Sequence, residues 1–185
     1  DLSRRDFTMN AIALSADGML ADPFDGVSDI EKRCIRCVGN PKLRFTEDAL
    51  RMFRALRFSA RLGFTIEYDT LSAIEECAEL ASELAPERVR DEVEKILLTT
   101  RPETMSAAIS FGLLKKYIGG AGWKTPNFAD LASMPRKPLS RWVAFSIMLR
   151  KYGYIPSARE FLKQLRLDGR TIRCCTDAEV LLSQD

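Results

Sequence analysis

Asp48 and Arg51 stand three residues apart in the run Phe45-Thr46-Glu47-Asp48-Ala49-Leu50-Arg51. On a helix that spacing puts both on one face. An ionised carboxylate only accepts hydrogen bonds, and a guanidinium only donates them. Side by side they match a ring edge with an amino donor beside a bare ring nitrogen, the edge that cytosine and adenine share. Uracil and guanine show a carbonyl and a ring N–H instead, so both contacts reverse. The same run also has a plainer account: Glu47 and Arg51, four apart, form an ordinary helical ion pair of about 0.2–0.5 kcal/mol, with acid favoured near the helix start. Arg54, Arg57 and Arg61 continue at helical spacing. They are either a solvated face, paired with neighbouring acids, or a surface for an RNA backbone.

A second cluster lies in Arg4-Arg5-Asp6-Phe7-Thr8-Met9-Asn10. Arg4 and Arg5 suit phosphate oxygens, because the guanidinium is a planar multiple donor. Asp6 and Asn10 suit sugar hydroxyls. The alternative is a charged strand end with Asp6 paired to an arginine. Other chemistry is excluded by composition. The chain has no histidine, which removes Ser-His and Cys-His catalysis and His-ligated metal. Cys34 and Cys37 form a CxxC, but a spacing of three on a strand places them on opposite faces. They and the adjacent Cys174 and Cys175 read as core cysteines, and no metal site is expected in this chain.

These clusters need a scaffold. With 185 residues, 46% hydrophobic and 29% charged, the chain has the composition of a soluble globular protein with a real core. Net charge is only +2, so nucleic-acid binding must rest on local basic patches. No apolar run reaches the ~20 residues of a spanning helix and no signal peptide opens the chain. Five unframed cysteines point to a reducing cytoplasm. Strands are predicted over 7–14 and 19–24 around the Asp17-Gly18 turn, a short helix in Gly26–Arg33, and a third strand in Cys34–Val38. Helices follow over about 46–62, ending at Gly63, then 68–83, 86–99 behind Pro86, and 102–112 behind Pro102. The stretch 119–138, dense in Gly and Pro, reads as a loop or linker. Helices over 139–151 and 157–166 and a terminal one from Asp168 complete the chain. The expectation is a mainly α protein with a small antiparallel β remnant at its N-terminus. So small a sheet is poorly stable alone, which predicts a chain that starts inside a larger domain.

The runs "RRDFTMNAIA", "DPFDGVSDI", "IRCVGNPKLRFTEDALRMFRALRFSARLGF" and "APERVRDEVEKIL" resemble successive motifs of the bacterial-type (class II) tRNA nucleotidyltransferases, the CCA-adding enzymes, and their poly(A) polymerase relatives. The resemblance spans about residues 1–98. It implies the end of a nucleotidyltransferase head domain over 1–42, a helical neck that recognises the base over 43–118, and a linker with the start of a helical body over 119–185. It implies template-independent addition of C and A to the tRNA 3′ end, with CTP, ATP and tRNA as partners, no membrane, and a cytoplasmic location. Poly(A) synthesis, A-only or CC-only addition, or a non-catalytic RNA-binding remnant are the alternatives. No oligomeric state is predicted.

Residue by residue, the resemblance implies that Arg4, Arg5, Asp6 and Asn10 hold the nucleotide's sugar and phosphates. Asp48 and Arg51 would be an amino-acid template for CTP and ATP, with Glu47 in support. Asp22, Asp25 and Gly26 would form a hinge, and Glu87, Arg88 and Glu92 would brace the template helix from a neighbour. Arg54, Arg57 and Arg61 are the candidate RNA contacts. Ala85 departs from the family, which often has a capping Ser there. The family's Gly-Ser and two aspartates that bind Mg²⁺ lie upstream of RRDFT and have no counterpart in this chain; the aspartates of "DPFD" are three apart beside a turn. No catalytic residue is expected here, and the chain alone is expected to be inactive.

Overall fold

The computed structural model describes residues 1–119 and 127–182. The centre of the predicted linker, residues 120–126, lies outside them. The helical expectation is met in its main lines; the helix expected over 68–83 turns 3-10 after Cys77, that over 102–112 is α-helical only at Met105–Ser110, and the run around Asp48 differs most. Instead of a single helix from about residue 46, the chain forms α1 at Gly26–Glu31, then α2 at Pro41–Glu47 and α3 at Leu50–Leu62, broken at Asp48. Asn40 starts α2 by accepting from the Leu43 N–H at 3.2 Å, with Pro41 in the first turn. Asp48 has extended backbone (φ −154°, ψ 102°). Its Oδ1 accepts from the Leu50 N–H at 3.1 Å, and its carbonyl accepts from the Arg51 N–H at 3.0 Å. A short acid that can bond nearby backbone N–H groups favours caps over helix interiors, so the helix stops and restarts there. Gly63 then ends α3 in the left-handed region, at φ 71°.

Next come α4 (Tyr68–Cys77), a 3-10 stretch (Ala78–Glu83), α5 (Pro86–Leu97) and α6 (Met105–Ser110), the last entered through a 3-10 turn at Pro102–Thr104. Ala85 gives no side-chain cap to α5, and Pro86 occupies its first turn. After a 3-10 turn at Ala129–Ser133 follow α7 (Pro138–Lys151), α8 (Ala158–Gln164) and α9 (Gly169–Leu182).

The strands are shorter than predicted. β1 (Ala13–Leu14) pairs antiparallel with β2 (Leu20–Ala21), Ala13 opposite Ala21. The expected start of the first strand is instead a 3-10 turn at Thr8–Asn10, closed by Asn10 Nδ2 donating to Asp6 Oδ1 at 2.9 Å. Phe7 makes an antiparallel bridge to Cys37. β3 (Cys34–Ile35) finds an unpredicted parallel partner, β4 (Thr65–Ile66). α3 packs on α5, α5 on α7, and α7 and α8 on α9. One apolar cluster, from Phe7 through Phe53, Val93 and Trp142 to Cys175, fills the interior. Trp142 on α7 donates to Glu94 on α5 at 2.8 Å, which fastens the C-terminal helices to the middle of the chain.

Candidate nucleotide cleft

The fold brings the two chemical clusters together. A cleft of about 540 Å³ is lined by Arg4, Arg5, Asp6 and Asn10 from the N-terminal turns and by Asp48, Arg51 and Arg54 from the α2–α3 junction. Leu50, Phe58 and Arg88 complete it. Leu50 and Phe58 were not singled out in the sequence. Phe58 lies four residues after Arg54 and seven after Arg51, so helical spacing alone places it on their face.

Arg51 is tied by its Nη1 to the Arg44 carbonyl (3.0 Å) and Glu47 Oε2 (2.7 Å), and by its Nη2 to the Arg4 carbonyl (3.1 Å). Three of its five N–H donors are engaged, and two remain. The plain Glu47–Arg51 pair is therefore present, and it orients Arg51 without exhausting it. The expectation that Asp48 and Arg51 share one helix face does not hold, because the break at Asp48 separates them. They meet at the same cleft through the junction instead. Asp48 also accepts from Arg88 Nη2, at 2.9 Å to Oδ2 and 3.2 Å to Oδ1. One acceptor position stays open on Oδ2.

Asp6 is 7% exposed and fully engaged. Its Oδ1 accepts from Phe7 N–H and Asn10 Nδ2, both at 2.9 Å; its Oδ2 accepts from Arg54 Nε at 2.7 Å and lies 2.6 Å from Arg54 Nη2. Asp6 and Asn10 therefore fasten the N-terminal turn to α3 in this state. A sugar hydroxyl would have to displace one of those bonds. Arg4 and Arg5 are exposed at the rim.

The bracing residues divide. Arg88 holds Asp48. Buried Glu92 pairs with Arg57 at 2.7 Å and with Lys95 at 2.9 Å. Glu87 does not reach the template junction; it turns to Arg166 beyond α8. The three arginines placed as RNA contacts recur at i, i+3 and i+7 on α3 but differ in their partners. Arg54 points into the nucleotide cleft, Arg57 is held by Glu92 and covers the Phe58 ring at 4.4 Å, and Arg61 is exposed. In the segment expected as a hinge, Asp22 accepts from the Val27 and Gly26 N–H groups at 2.9 and 2.7 Å, and the Val27 bond first holds its pKa below the usual carboxylate range. Asp25 has left-handed backbone (φ 57°). Asp29 pins the segment from below, accepting from Thr8 Oγ1 at 2.5 Å and from Arg36 Nε at 2.9 Å, while Arg36 Nη2 donates to the Phe24 carbonyl.

Burial pushes the Cys37 thiol up to about 12 and the Cys175 thiol up to about 11, so neither is a ready nucleophile or metal ligand. Among the described residues no group of three His, Cys, Asp or Glu is placed to hold a metal ion, and no helix is long and apolar enough to cross a membrane.

Arginines at the rim, an acceptor–donor pair at the junction and an aromatic ring in the wall form a cleft suited to a phosphorylated heterocycle, carried on a mainly helical scaffold with two small sheets. Residues 1–36 match the poly(A) polymerase head domain, and residues 63–118 match the probable RNA- and SrmB-binding site of polymerase A. A CCA-adding enzyme from Limosilactobacillus fermentum is 53% identical over 188 residues, covering 100% of this chain and 46% of that protein. The crystal structure of the Bacillus stearothermophilus CCA-adding enzyme in complex with CTP superposes with a TM-score of 0.83 at 34% identity, over 100% of this chain and 47% of that one. A tRNA nucleotidyltransferase complexed with a primer tRNA and an incoming ATP analog gives 0.75 at 25% identity, over 98% of this chain and 58% of that one. The chain belongs to this family of poly(A) polymerases and bacterial CCA-adding enzymes. It spans about half the length of the curated relatives it matches.

Proposed function

We propose that this chain provides the base-selecting part of a template-independent tRNA nucleotidyltransferase that adds C and A to the tRNA 3′ end from CTP and ATP. The observation that carries the reading is the convergence of residues 4–10 and 48–54 on one cleft. Asp48 offers an acceptor to the exocyclic amino group of cytosine or adenine. Arg51 offers its remaining N–H groups to the neighbouring bare ring nitrogen. Uracil and guanine present the reverse pattern to both. Arg4 and Arg5 at the rim meet the phosphates, and the Phe58 ring supplies an apolar wall. The Asp22–Gly26 segment is the joint at which the head adjusts between the two bases. Similar proteins solved in complex with CTP, and with a primer tRNA and an ATP analog, favour the same assignment, and a cytoplasmic location goes with it.

The reading places Mg²⁺ on carboxylates outside this chain. The carboxylates here do not fit that role: Asp6 is committed to Arg54, Asp48 to Arg88, and Asp22 to the start of α1. The 185-residue chain alone is therefore proposed to be inactive.

The test is Asp48→Ala in the complete enzyme, with each of the four nucleotides offered to a tRNA lacking CCA. Loss of a hydrogen bond to a charged group costs about 1.5–3 kcal/mol. CTP and ATP use should fall roughly 10- to 150-fold, with relaxed exclusion of UTP and GTP. Arg51→Ala should act likewise, and the two losses should not add, since they serve one edge. Unchanged selectivity in both variants would return the junction to a purely structural role. Sequencing the products separates CCA addition from A-only, CC-only or poly(A) synthesis.

A further inference from the structure

Arg54 lines the nucleotide cleft but spends its guanidinium on protein. Its Nε donates to Asp6 Oδ2 at 2.7 Å, and its Nη2 lies 2.6 Å from the same oxygen. We propose that Arg54 is a positioning residue for the nucleotide's phosphates, acting through Asp6 on Arg4 and Arg5 and touching neither the nucleotide nor RNA. This role presupposes that the cleft is the nucleotide site, and it assigns what holds and charges the phosphate rim.

Anchoring comes first. Guanidinium groups of α2 and α3 grasp the segment that carries the rim. Arg44 Nη1 donates to the Ser3 carbonyl at 3.0 Å, Arg51 Nη2 to the Arg4 carbonyl at 3.1 Å, and Arg54 to the Asp6 carboxylate. The backbone N–H groups of Arg4 and Arg5 stay inside the opening 3-10 turn, bonded to the Asp1 and Leu2 carbonyls. Only at Asp6 does the backbone tie to a distant segment, its carbonyl accepting from the Val38 N–H at 3.1 Å. Arg4 and Arg5 therefore owe their place to contacts from α2 and α3. Among these the Arg54 tie is the shortest and the one that joins two charges, and charge-assisted pairs of this kind are the strong ones. Its partner Asp6 is buried, so the tie is little screened by water.

Charge points the same way. Three arginines of the cleft are matched by acids: Arg54 by Asp6, Arg51 by Glu47 and Arg88 by Asp48. Among the described residues the side chains of Arg4 and Arg5 make no ion pair or hydrogen bond. They are the unmatched positive charge that meets an arriving phosphate. Without Arg54 the Asp6 carboxylate would stand unpaired in the cleft wall, where like charges repel more strongly than in open water. Removing this one cation thus loosens the rim and sets an anion against the ligand. The Nε–Nη2 fork of Arg54, the geometry that grips a phosphate, is already closed on Asp6.

The experiment compares the complete enzyme with its Arg54→Met, Arg54→Lys and Arg54→Met/Asp6→Asn variants. Equilibrium dialysis with radiolabelled CTP, and separately with ATP, reads the grip without turnover. Arg54→Met should weaken both about tenfold, the low end for a charged hydrogen bond, because Arg4 and Arg5 keep their own charge. Arg54→Lys keeps the charge without the fork and should lose less. The double variant removes the stranded carboxylate and should recover part of the loss. In turnover on a tRNA lacking CCA, Arg54→Met should raise the nucleotide KM and leave unchanged both the tRNA KM and the preference among the four nucleotides. A raised tRNA KM with unchanged nucleotide binding would make Arg54 an RNA contact and overturn the proposal. A loss that Asp6→Asn does not relieve would make it a direct phosphate ligand, and unchanged binding would leave it a merely structural residue; either result overturns the proposal too. Should Arg54→Met fail to fold, Arg54→Lys carries the same comparison. Asp48 and Arg51 are untouched, so altered base choice at that pair and altered affinity at Arg54 fail separately. A wild type that binds neither nucleotide would overturn the cleft reading and this role with it.

Discussion

Glu92→Gln is the substitution that most directly tests how α5 supports α3. The Glu92 carboxylate is buried, with Oε2 2.7 Å from Arg57 Nε and Oε1 2.9 Å from Lys95 Nζ. The Lys95 side chain is 54% exposed, so its share is at most about 1 kcal/mol. The Arg57 side chain is 13% exposed, so its partner matters more. Its Nε–H does not align on the carboxylate as a hydrogen bond, and the attraction is one of charge rather than direction. Glutamine keeps the shape and removes the charge, which leaves a buried guanidinium facing only the Phe58 ring. Breaking a buried pair from one side costs about 3–5 kcal/mol. The lower end applies, because Arg57 keeps the ring and some solvent. A loss of about 3 kcal/mol lowers Tm by roughly 6–12 °C in a domain of this size. Urea denaturation of Glu92→Gln, Arg57→Met and the double variant, followed by circular dichroism, reads the coupling directly. The double variant should recover most of the loss, since a buried pair replaced as a unit is close to neutral. A single-variant loss under about 1 kcal/mol, or strict additivity in the double, would refute this account of the α3–α5 contact.

Three further outcomes follow from the packing. Gly26→Ala should destabilise by about 1–3 kcal/mol in thermal melts, because a Cβ there would lie 2.2 Å from the Thr8 carbonyl oxygen and 2.8 Å from its carbon, both backbone atoms. Cys37 keeps its proton up to about 12 in the folded chain, against 9.0 for a free thiol; the unfolded state releases it first, so stability is full below pH 9 and falls as pH rises through 9 to 12, which urea midpoints across that range will show. Cys37 and Cys175 should accordingly resist iodoacetamide at pH 8 until the chain unfolds. Arg141→Met should hold or raise stability, since it replaces a buried, incompletely bonded cation with an apolar chain of similar length; a loss above about 2 kcal/mol would show a partner that the geometry does not provide.

The long helices were legible because their signals are local. Pro86, Pro102 and Gly63 punctuate them, and their apolar residues recur at helical spacing. The failures sit where a distant partner decides. Thr65-Ile66 is too short to read as a strand, and it becomes one only because β3, some thirty residues earlier, offers a free edge. The opening strand gave way to a turn because Asp6 and Asn10 bond each other across it. The residues of the nucleotide cleft were recognisable from type, spacing and motif, but their partners were not. Asp48–Arg88 and Asp6–Arg54 span 40 and 48 residues of sequence.

The break between α2 and α3 turns a commonplace charge pair into a surface that can read a base. A helix end leaves carbonyls unmatched, and a helix start leaves N–H groups unmatched. At this junction each member of the pair bonds the other helix's backbone, Arg51 adding to the Asp48 N–H that the Arg44 carbonyl already accepts at 3.3 Å. Arg51, on the first turn of α3, reaches back to the Arg44 carbonyl near the end of α2. Asp48, just past the end of α2, accepts from the Leu50 N–H at the start of α3. Their structural work is therefore local, and it leaves two N–H donors on one side chain and one acceptor position on the other. A continuous helix would have met those backbone needs internally, and both side chains would have been mobile and solvated. Because the pair also caps the junction, Asp48→Ala and Arg51→Ala should each lower stability by about 0.5–2 kcal/mol, the worth of a cap. Thermal melts of both variants will show it, and their nucleotide selectivities must be compared at a temperature where each remains folded. If either variant melts with the wild type, the junction is held by its packing alone, and the pair serves only the ligand.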